Sequence, residues 1–246
     1  MKKFISITVV VPAFNEEERI AGAIHSVKTL LSVYLADYEI LVVDDGSQDK
    51  TSLIVEALAV HDPHLRLLCN EQNRGLGYSM QRGFQEAAKE YVMWFPGDNS
   101  ADSSSLRPML EAIGKADLIV GYMANIDQRI IVRRYLSKLY TWLVNHLFGL
   151  NLRYYNGIFI FPRRVVCDVR LAARGHDIFM ELLVRNIKAG YHVWEVPFTH
   201  RVETERNSKA ISFRNISNIL RMMIVLLIDI YILNHILGGK RRLSQT

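Results

Sequence analysis

Apolar residues along the chain follow two alternating rhythms, one of period two or continuous, the other of period 3.6. Residues 5–11 form a β-branched run that stops at Pro12, as expected of a strand buried on both faces. Asn15 is then read as the cap of a helix whose first turn carries Glu16, Glu17 and Glu18, acids that suit a helix N-terminus. Ile20, Ile24, Val27 and Leu31 recur behind it at helical spacing. A second strand is predicted over 39–43, a helix over 50–60, a third strand over 65–69 and a loop opening into a helix over 75–89. Strands at 91–95 and 117–121 follow. Five alternations of strand and helix predict an α/β fold, with a mostly parallel sheet flanked by helices. Ligands of such sheets sit beyond the carboxyl ends of the strands. There the sequence places its polar clusters, at 12–16, 44–47, 70–77 and 97–102.

The last third reads differently. Residues 133–148 have a helical pattern, with apolar and aromatic residues around much of the circumference. Strands are predicted at 157–161 and 192–196, with a helix over 177–188 between them. A long helix is predicted over 214–237, with Arg214, Asn218 and Arg221 on one face and a wholly apolar stretch at 222–228. Asp229, Asn234 and His235 interrupt that stretch before a basic tail of Lys240, Arg241 and Arg242. The clean apolar run is short for a membrane span, which takes about 20 residues. An amphipathic, membrane-associated helix lying in the lipid surface suits it better. Trp94, Trp142 and Trp194 are candidate anchors at such a surface, although isolated tryptophans more often belong to the core.

Composition narrows the class. In 246 residues, half are hydrophobic and 22% charged, which excludes a disordered chain. The formal net charge is +5, and nucleic acid is not an expected partner. The two cysteines, Cys69 and Cys167, form neither a disulfide framework nor a zinc motif, so a reducing environment is the default. Met1, Lys2 and Lys3 resemble the start of an export signal. Ser6 and Thr8 break the apolar run behind them, however, and a buried first strand is expected instead. Gly75-Leu76-Gly77 follows the third strand rather than the first, which argues against a dinucleotide fingerprint, and no P-loop sequence occurs.

Candidate chemistry centres on Asp44-Asp45-Gly46-Ser47 at the end of the second strand. Asp-Gly is a common hairpin turn, but the next segment is helical, so a hairpin is disfavoured. Two carboxylates at a strand tip suit hydrogen bonds from a base N–H and from ribose hydroxyls. Asp177 and Glu181, one helical turn apart, are candidates for a general base where a hydroxyl must lose its proton; the alternative is a helix-start aspartate and a structural glutamate.

The ordered set of motifs resembles family 2 glycosyltransferases. It comprises residues 10–17 (Val-Val-Pro-Ala-Phe-Asn-Glu-Glu), 42–47 (Val-Val-Asp-Asp-Gly-Ser), Asn73-Arg74-Gly75-Leu76-Gly77 and Gly97-Asp98. Tyr155-Asn156-Gly157, Glu195-Val196-Pro197 and Asn207-Ser208-Lys209 complete it. The Gly-rich segment is similar to that of the dolichol- and polyprenol-phosphate sugar synthase branch. The resemblance implies a GT-A (Rossmann-like) domain over 1–212, followed by a membrane-interacting helix and basic tail over 213–246. Pro12, Ala13, Asn15 and Glu16 would line the nucleotide pocket, and Asp44 and Asp45 would take base or ribose. Gly75 and Gly77 would admit the donor close to the backbone. Arg133 or Arg134, before Ser137, and the late Arg201 and Lys209 would meet phosphates.

Asp98 would stand at the second aspartate of the family's Asp-x-Asp metal motif, with Ser100 beside it, holding Mg²⁺ or Mn²⁺. Here Pro96 replaces the first aspartate. Mg²⁺ commonly takes only one or two protein carboxylates, so Asp98 with Asn99, Ser100 or Asp102 suffices in principle. An arginine often present after the fifth strand is also missing, and Gly121-Tyr122-Met123 stands there. The implied activity is transfer of a sugar, with inversion, from a UDP- or GDP-linked donor to a lipid-linked acceptor such as polyprenyl phosphate. The implied place is the cytoplasmic face of the membrane, reached peripherally or with at most one membrane helix, in cell-envelope glycan synthesis. A homo-oligomer is compatible with the pattern. The competing readings are a soluble or glycan hydroxyl acceptor, and an inactive relative that binds nucleotide sugars.

Overall fold

A computed structural model describes residues 3–167, 169, 171–201 and 213–233. Strand β1 (Lys3–Ala13) leads through helix α1 (Ile20–Tyr34) to β2 (Leu35–Asp44), and α2 (Thr51–Ala59) leads to β3 (Leu65–Cys69). Then come α3 (Leu76–Glu86), β4 (Tyr91–Trp94), α4 (Arg107–Ala112), β5 (Leu118–Met123) and α5 (Ile131–Phe148). The chain continues through β6 (Phe159–Pro162), α6 (Arg163–Val166), α7 (Asp177–Lys188), β7 (Val193–Phe198) and α8 (Phe213–Leu227). Seven strands form one sheet in the order β3-β2-β1-β4-β6-β5-β7. All neighbouring pairs are parallel except those of β6, which runs antiparallel to β4 and β5.

The β-branched run of β1 explains its central place. Ile7, Val9 and Val11 point into one core with Ala23, Ile24, Val27 and Leu31 of α1. Val10 points into the other, with Met80 and Phe84 of α3 and Phe179 and Leu183 of α7. Each fully buried aliphatic side chain contributes about 1.5–3 kcal/mol, so β1 is held from both faces. Gly83 of α3 allows that packing, since a Cβ there would lie 2.4 Å from Val10 Cγ1.

Several expectations are corrected. Helix α1 begins at Ile20 and no side chain caps it. Asn15 stands before it in a left-handed conformation, φ 54°, with its side chain committed to another loop, and Glu16, Glu17 and Glu18 lie in the preceding turn. The strand predicted at 157–161 is Phe159–Pro162 and antiparallel. The C-terminal helix runs over Phe213–Leu227 and continues as a π-helical turn over Ile228–Leu233; its predicted end and the basic tail lie outside the described residues. Among the described residues, no helix is long and apolar enough to cross a membrane. Trp94 is a core residue: it is 9% exposed, stacks on Phe179 at 4.5 Å and donates from Nε1 to Gly157 O at 2.9 Å. Trp142 and Trp194 are exposed. Both cysteines are free thiols.

Candidate functional site

Register brings the predicted clusters together. Ala13 pairs with Asp44 and Asp44 with Cys69, so the tips of β1, β2 and β3 end level. The ladder continues past them, with Asp45 N donating to Ala13 O and Asn70 N to Asp44 O, each at 2.8 Å.

The turn after β1 is laced to the turn after β2. Asn15 N donates to Ser47 Oγ and Asn15 Oδ1 accepts from Gln48 N, both at 2.9 Å. Glu16 N donates to Thr51 Oγ1 at 2.8 Å, and Glu17 N to Asp49 Oδ2 at 3.1 Å. The positive φ at Asn15 is tolerable because asparagine is among the few non-glycine residues that visit that region readily. A shallow cavity of about 190 Å³ lies here, lined by Asn15, Glu16, Arg19 and Asp49 among others.

The two aspartates differ. Asp44 is buried, and its carboxylate accepts from Ser47 Oγ and Ser47 N. Burial pushes its pKa up; the Ser47 hydrogen bonds oppose this, and the negative charges of Asp49 and Asp45 add to the rise. Asp45 is equally buried, and both of its oxygens are taken. Oδ1 accepts from Asn70 Nδ2 at 2.7 Å, Ser79 Oγ at 2.9 Å and Arg74 N at 3.0 Å. Oδ2 accepts from Gly75 N at 2.8 Å. Asp45 thus fixes the Gly-rich loop to the tip of β2, and Asp44 is the carboxylate facing the turn.

That loop is set on the N-terminus of α3. Gly75 has φ 91°, which a side chain would strain, and it meets residues 173–174 at close range. A Cβ on Gly77 would stand 2.5 Å from Ala173 O. Ser79 and the 172–175 segment are not among the expected site residues, and Asn70 enters only as the first residue of the 70–77 polar cluster. Asn70 and Ser79 offered only a polar residue after a strand and one early in a helix. The 172–175 segment lies almost a hundred residues away, with no spacing signal to reveal it.

Asp98 lies in the turn after β4, seated against β1: a Cβ on Gly97 would lie 2.6 Å from Pro12 O. Its Oδ1 accepts from Ser100 N at 3.0 Å. Ser100 O in turn accepts from Arg201 N at 2.8 Å, so Arg201 is brought beside the proposed cation loop. Asp102 is committed to its own turn, accepting from Ser104 N at 3.0 Å and Ser104 Oγ at 2.9 Å. Among the described residues, no cluster of three or more acidic, histidine or cysteine side chains gathers to hold a metal. Of the expected ligands, this turn brings Asp98 and Ser100 together.

Asp177 opens α7, where Oδ1 accepts from Gly175 N at 2.8 Å. Its Oδ2 is buried with no hydrogen-bond partner among the described residues. His176 is exposed at the start of α7; desolvation by the protein around it lowers its pKa, and the Asp177 and Asp98 carboxylates oppose the fall. The charges of Asp98 and of Asp177 thus both act on His176. Glu181 is fully buried and bonded to Ala172 N, Ala173 N and Arg185 Nε, an environment that leaves it no route to take a substrate proton. Arg133 and Arg134 lie in the first turn of α5. Arg134 pairs with Asp127 at 3.2 Å, and Arg133 has no hydrogen bond or ion pair among the described residues. Lys209 lies outside the described residues.

Comparison with known proteins bears on the family and the fold. Residues 8–172 match the model of the family described as Glycosyl transferase family 2. Over 205 residues the chain is 26% identical to the undecaprenyl-phosphate 4-deoxy-4-formamido-L-arabinose transferase of Pseudomonas fluorescens, covering 82% of this chain and 59% of that protein. It is 30% identical over 203 residues to glycosyltransferase AglD of Haloferax volcanii, covering 78% of this chain and 32% of that protein. It is 25% identical over 226 residues to the dodecaprenyl-phosphate galacturonate synthase of Rhizobium johnstonii, covering 89% and 67%. The chain thus spans only part of the length of these relatives. Among solved structures, glucosyl-3-phosphoglycerate synthase from Mycobacterium tuberculosis in complex with uridine-diphosphate superposes with a TM-score of 0.67. The identity is 20%, over 92% of this chain and 80% of that one, a likeness of fold.

Proposed function

The chain belongs to glycosyl transferase family 2, and from that premise we propose that it moves a sugar, with inversion, from a UDP- or GDP-linked donor to polyprenyl phosphate. The observation that carries the proposal is the joined cradle at the tips of β1 and β2. There Asn15, Ser47 and Asp44 share hydrogen bonds, and Asp45 holds the Gly75–Gly77 loop beside them. Such a cradle offers a carboxylate to a base or ribose and a glycine-lined backbone to a diphosphate. The names of the polyprenyl-phosphate relatives support the acceptor.

In this reading Asp98, with Ser100, holds a divalent cation, which when bound neutralises charge gathering on the leaving diphosphate. Arg201, beside Ser100, and Arg133 are the cations that meet phosphate oxygens. A phosphate acceptor is already ionised near neutral pH, since its second pKa is about 6, and it needs no general base. The burial of Glu181 suits that route. For an acceptor with a hydroxyl, Asp177, whose Oδ2 is unpartnered among the described residues, is the carboxylate left to take the proton.

The acceptor's lipid demands a membrane surface, and two helices present one. On α5 the outward face is largely apolar: Ile131, Val132, Tyr135, Leu136, Leu139 and Trp142 are exposed, Tyr135 at 63% and Trp142 at 59%, with the exposed Lys138 among them. Helix α8 adds Leu220, Ile224, Ile228 and Tyr231, and Tyr231 OH donates to Leu147 O at 3.2 Å, tying the two together. Exposed apolar faces of this extent mark interaction surfaces, and Lys138 with the basic tail complements anionic headgroups. Residues 1–212 are thus proposed as the catalytic unit, and 213–246 as a membrane-contacting helix and tail at the cytoplasmic face.

Pro96, where the first metal-binding aspartate would stand, favours a second reading: a relative that binds nucleotide sugar without turnover. Release of nucleoside diphosphate from a panel of UDP- and GDP-sugars, with and without polyprenyl phosphate and with Mg²⁺, Mn²⁺ or chelator, decides. Turnover that needs the lipid phosphate and is lost in Asp98→Ala is expected. Turnover with soluble acceptors alone excludes the lipid acceptor, and none with any donor supports the second reading.

A further inference from the structure

The Gly-rich loop is clamped from outside the sheet by a strap that ends on α8. Residues 172–175 cross over Gly75 and Gly77 with backbone against backbone. Gly77 N donates to Arg174 O at 3.2 Å, and a Cβ on Gly75 would lie 2.7 Å from the same oxygen. The strap in turn is gripped by helices. Glu181 of α7 accepts from Ala172 N at 2.9 Å and Ala173 N at 2.8 Å. Arg185 donates from Nε to Glu181 at 2.9 Å and from Nη2 to Asp229 Oδ2 at 2.8 Å, bridging α7 to the turn that extends α8. Arg221 of α8 reaches back to donate from Nη2 to Ala172 O at 2.8 Å. Met222, Met223 and Leu226 bury the same side of α8.

We propose that Arg221 and the Arg185–Asp229 pair are positioning residues: docked α8 holds the strap down, and the strap holds the Gly75–Gly77 loop in its donor-binding shape. The physical ground is charge. A buried carboxylate is costly without partners, so Glu181 binds the strap's amides only while Arg185 balances it, and Arg185 is shared with Asp229. The Ala172 carbonyl receives a charge-assisted bond, the stronger class of hydrogen bond. One helix that faces the proposed lipid surface is therefore wired, through four side chains (Arg221, Asp229, Arg185 and Glu181), to the loop proposed to receive the donor. The link to donor binding rests on the function proposed above; the strap itself does not.

The test uses the full chain with Arg221→Met and Asp229→Asn, both at the edge of the network, and Arg221→Lys as the conservative control. Amide hydrogen exchange at residues 75–79 and 172–174 reads the strap, and calorimetric titration of UDP and GDP reads the loop. Each loosening variant is expected to raise exchange at residues 75–79 by about tenfold, the scale of one charge-assisted hydrogen bond. Nucleotide affinity is expected to fall several-fold with little change in melting temperature, and Arg221→Lys to restore both in part. Unchanged exchange at 75–79 overturns the strap. Faster exchange with unchanged affinity, in a protein whose wild type binds nucleotide, overturns the link to the donor. A wild type that binds no nucleotide removes the proposed function, and the exchange result alone then decides the strap.

Discussion

Asp45→Asn is the sharpest test of how the glycine loop is built. The wild-type carboxylate faces four donors: three at Oδ1 (Asn70 Nδ2, Ser79 Oγ, Arg74 N) and one at Oδ2, Gly75 N. A carboxamide keeps one oxygen, so its least costly orientation turns the oxygen to the three and the NH₂ toward the Gly75 N–H. One charge-assisted bond is lost and two donors are left facing each other in a buried site. The loss is about 2–3 kcal/mol. For a chain of this size that lowers the melting temperature by roughly 4–12 °C, with a matching fall in urea midpoint at unchanged slope. Gly75 is freed, and nucleotide binding falls with stability. An Asp45→Asn protein as stable as wild type would refute the reasoning, because the four bonds would then carry no net stabilisation.

Gly77→Ala sets a Cβ 2.5 Å from a backbone oxygen that cannot rotate away; a loss of about 1–3 kcal/mol in urea unfolding is expected, together with loss of nucleotide binding. Burial raises the pKa of Asp44 in the folded state, so the folded protein binds more protons than the unfolded chain between the ordinary aspartate value, about 3.9, and the raised one. Wild-type stability therefore falls relative to Asp44→Asn as pH rises through that window, and unfolding curves at stepped pH check it; a difference that does not vary with pH counts against the burial argument. Leu139→Asp with Trp142→Asp on α5 is expected to reduce binding to vesicles containing phosphatidylglycerol by more than tenfold, since each buried apolar side chain is worth about 1.5–3 kcal/mol; co-sedimentation unaffected by both substitutions would remove α5 from the membrane surface.

Much of the fold was legible because β1 and β2 end in apolar, β-branched runs (Val9–Val11 and Ile40–Val43) and their partners are parallel strands linked by helices. The period of each segment and the stop at Pro12 or Asp44 carry that information locally. The antiparallel β6 was not legible, since direction within a sheet leaves no mark on a four-residue apolar run. The start of α1 was misread because Asn15 has two uses. It is a good helix cap, but here its side chain holds Gln48 N across 33 positions, a contact that only the parallel register of β1 and β2 creates. The same limit applies to Glu181. Its spacing from Asp177 resembles a catalytic pair, whereas its bonds to the 172–173 amides depend on how α7 packs. Asp98 and Asp177 belong to separate segments, and it is tertiary packing that lets the Asp98 charge act on His176 beside Asp177.

Calorimetric titration of the wild-type protein with UDP and with GDP, each in the presence of Mg²⁺, bears most directly on the cradle at the tips of β1 and β2. Saturable binding of one nucleotide, abolished in Asp45→Asn and weakened in Asp44→Asn, is the predicted result. No heat with either nucleotide, or binding that ignores both substitutions, would contradict it.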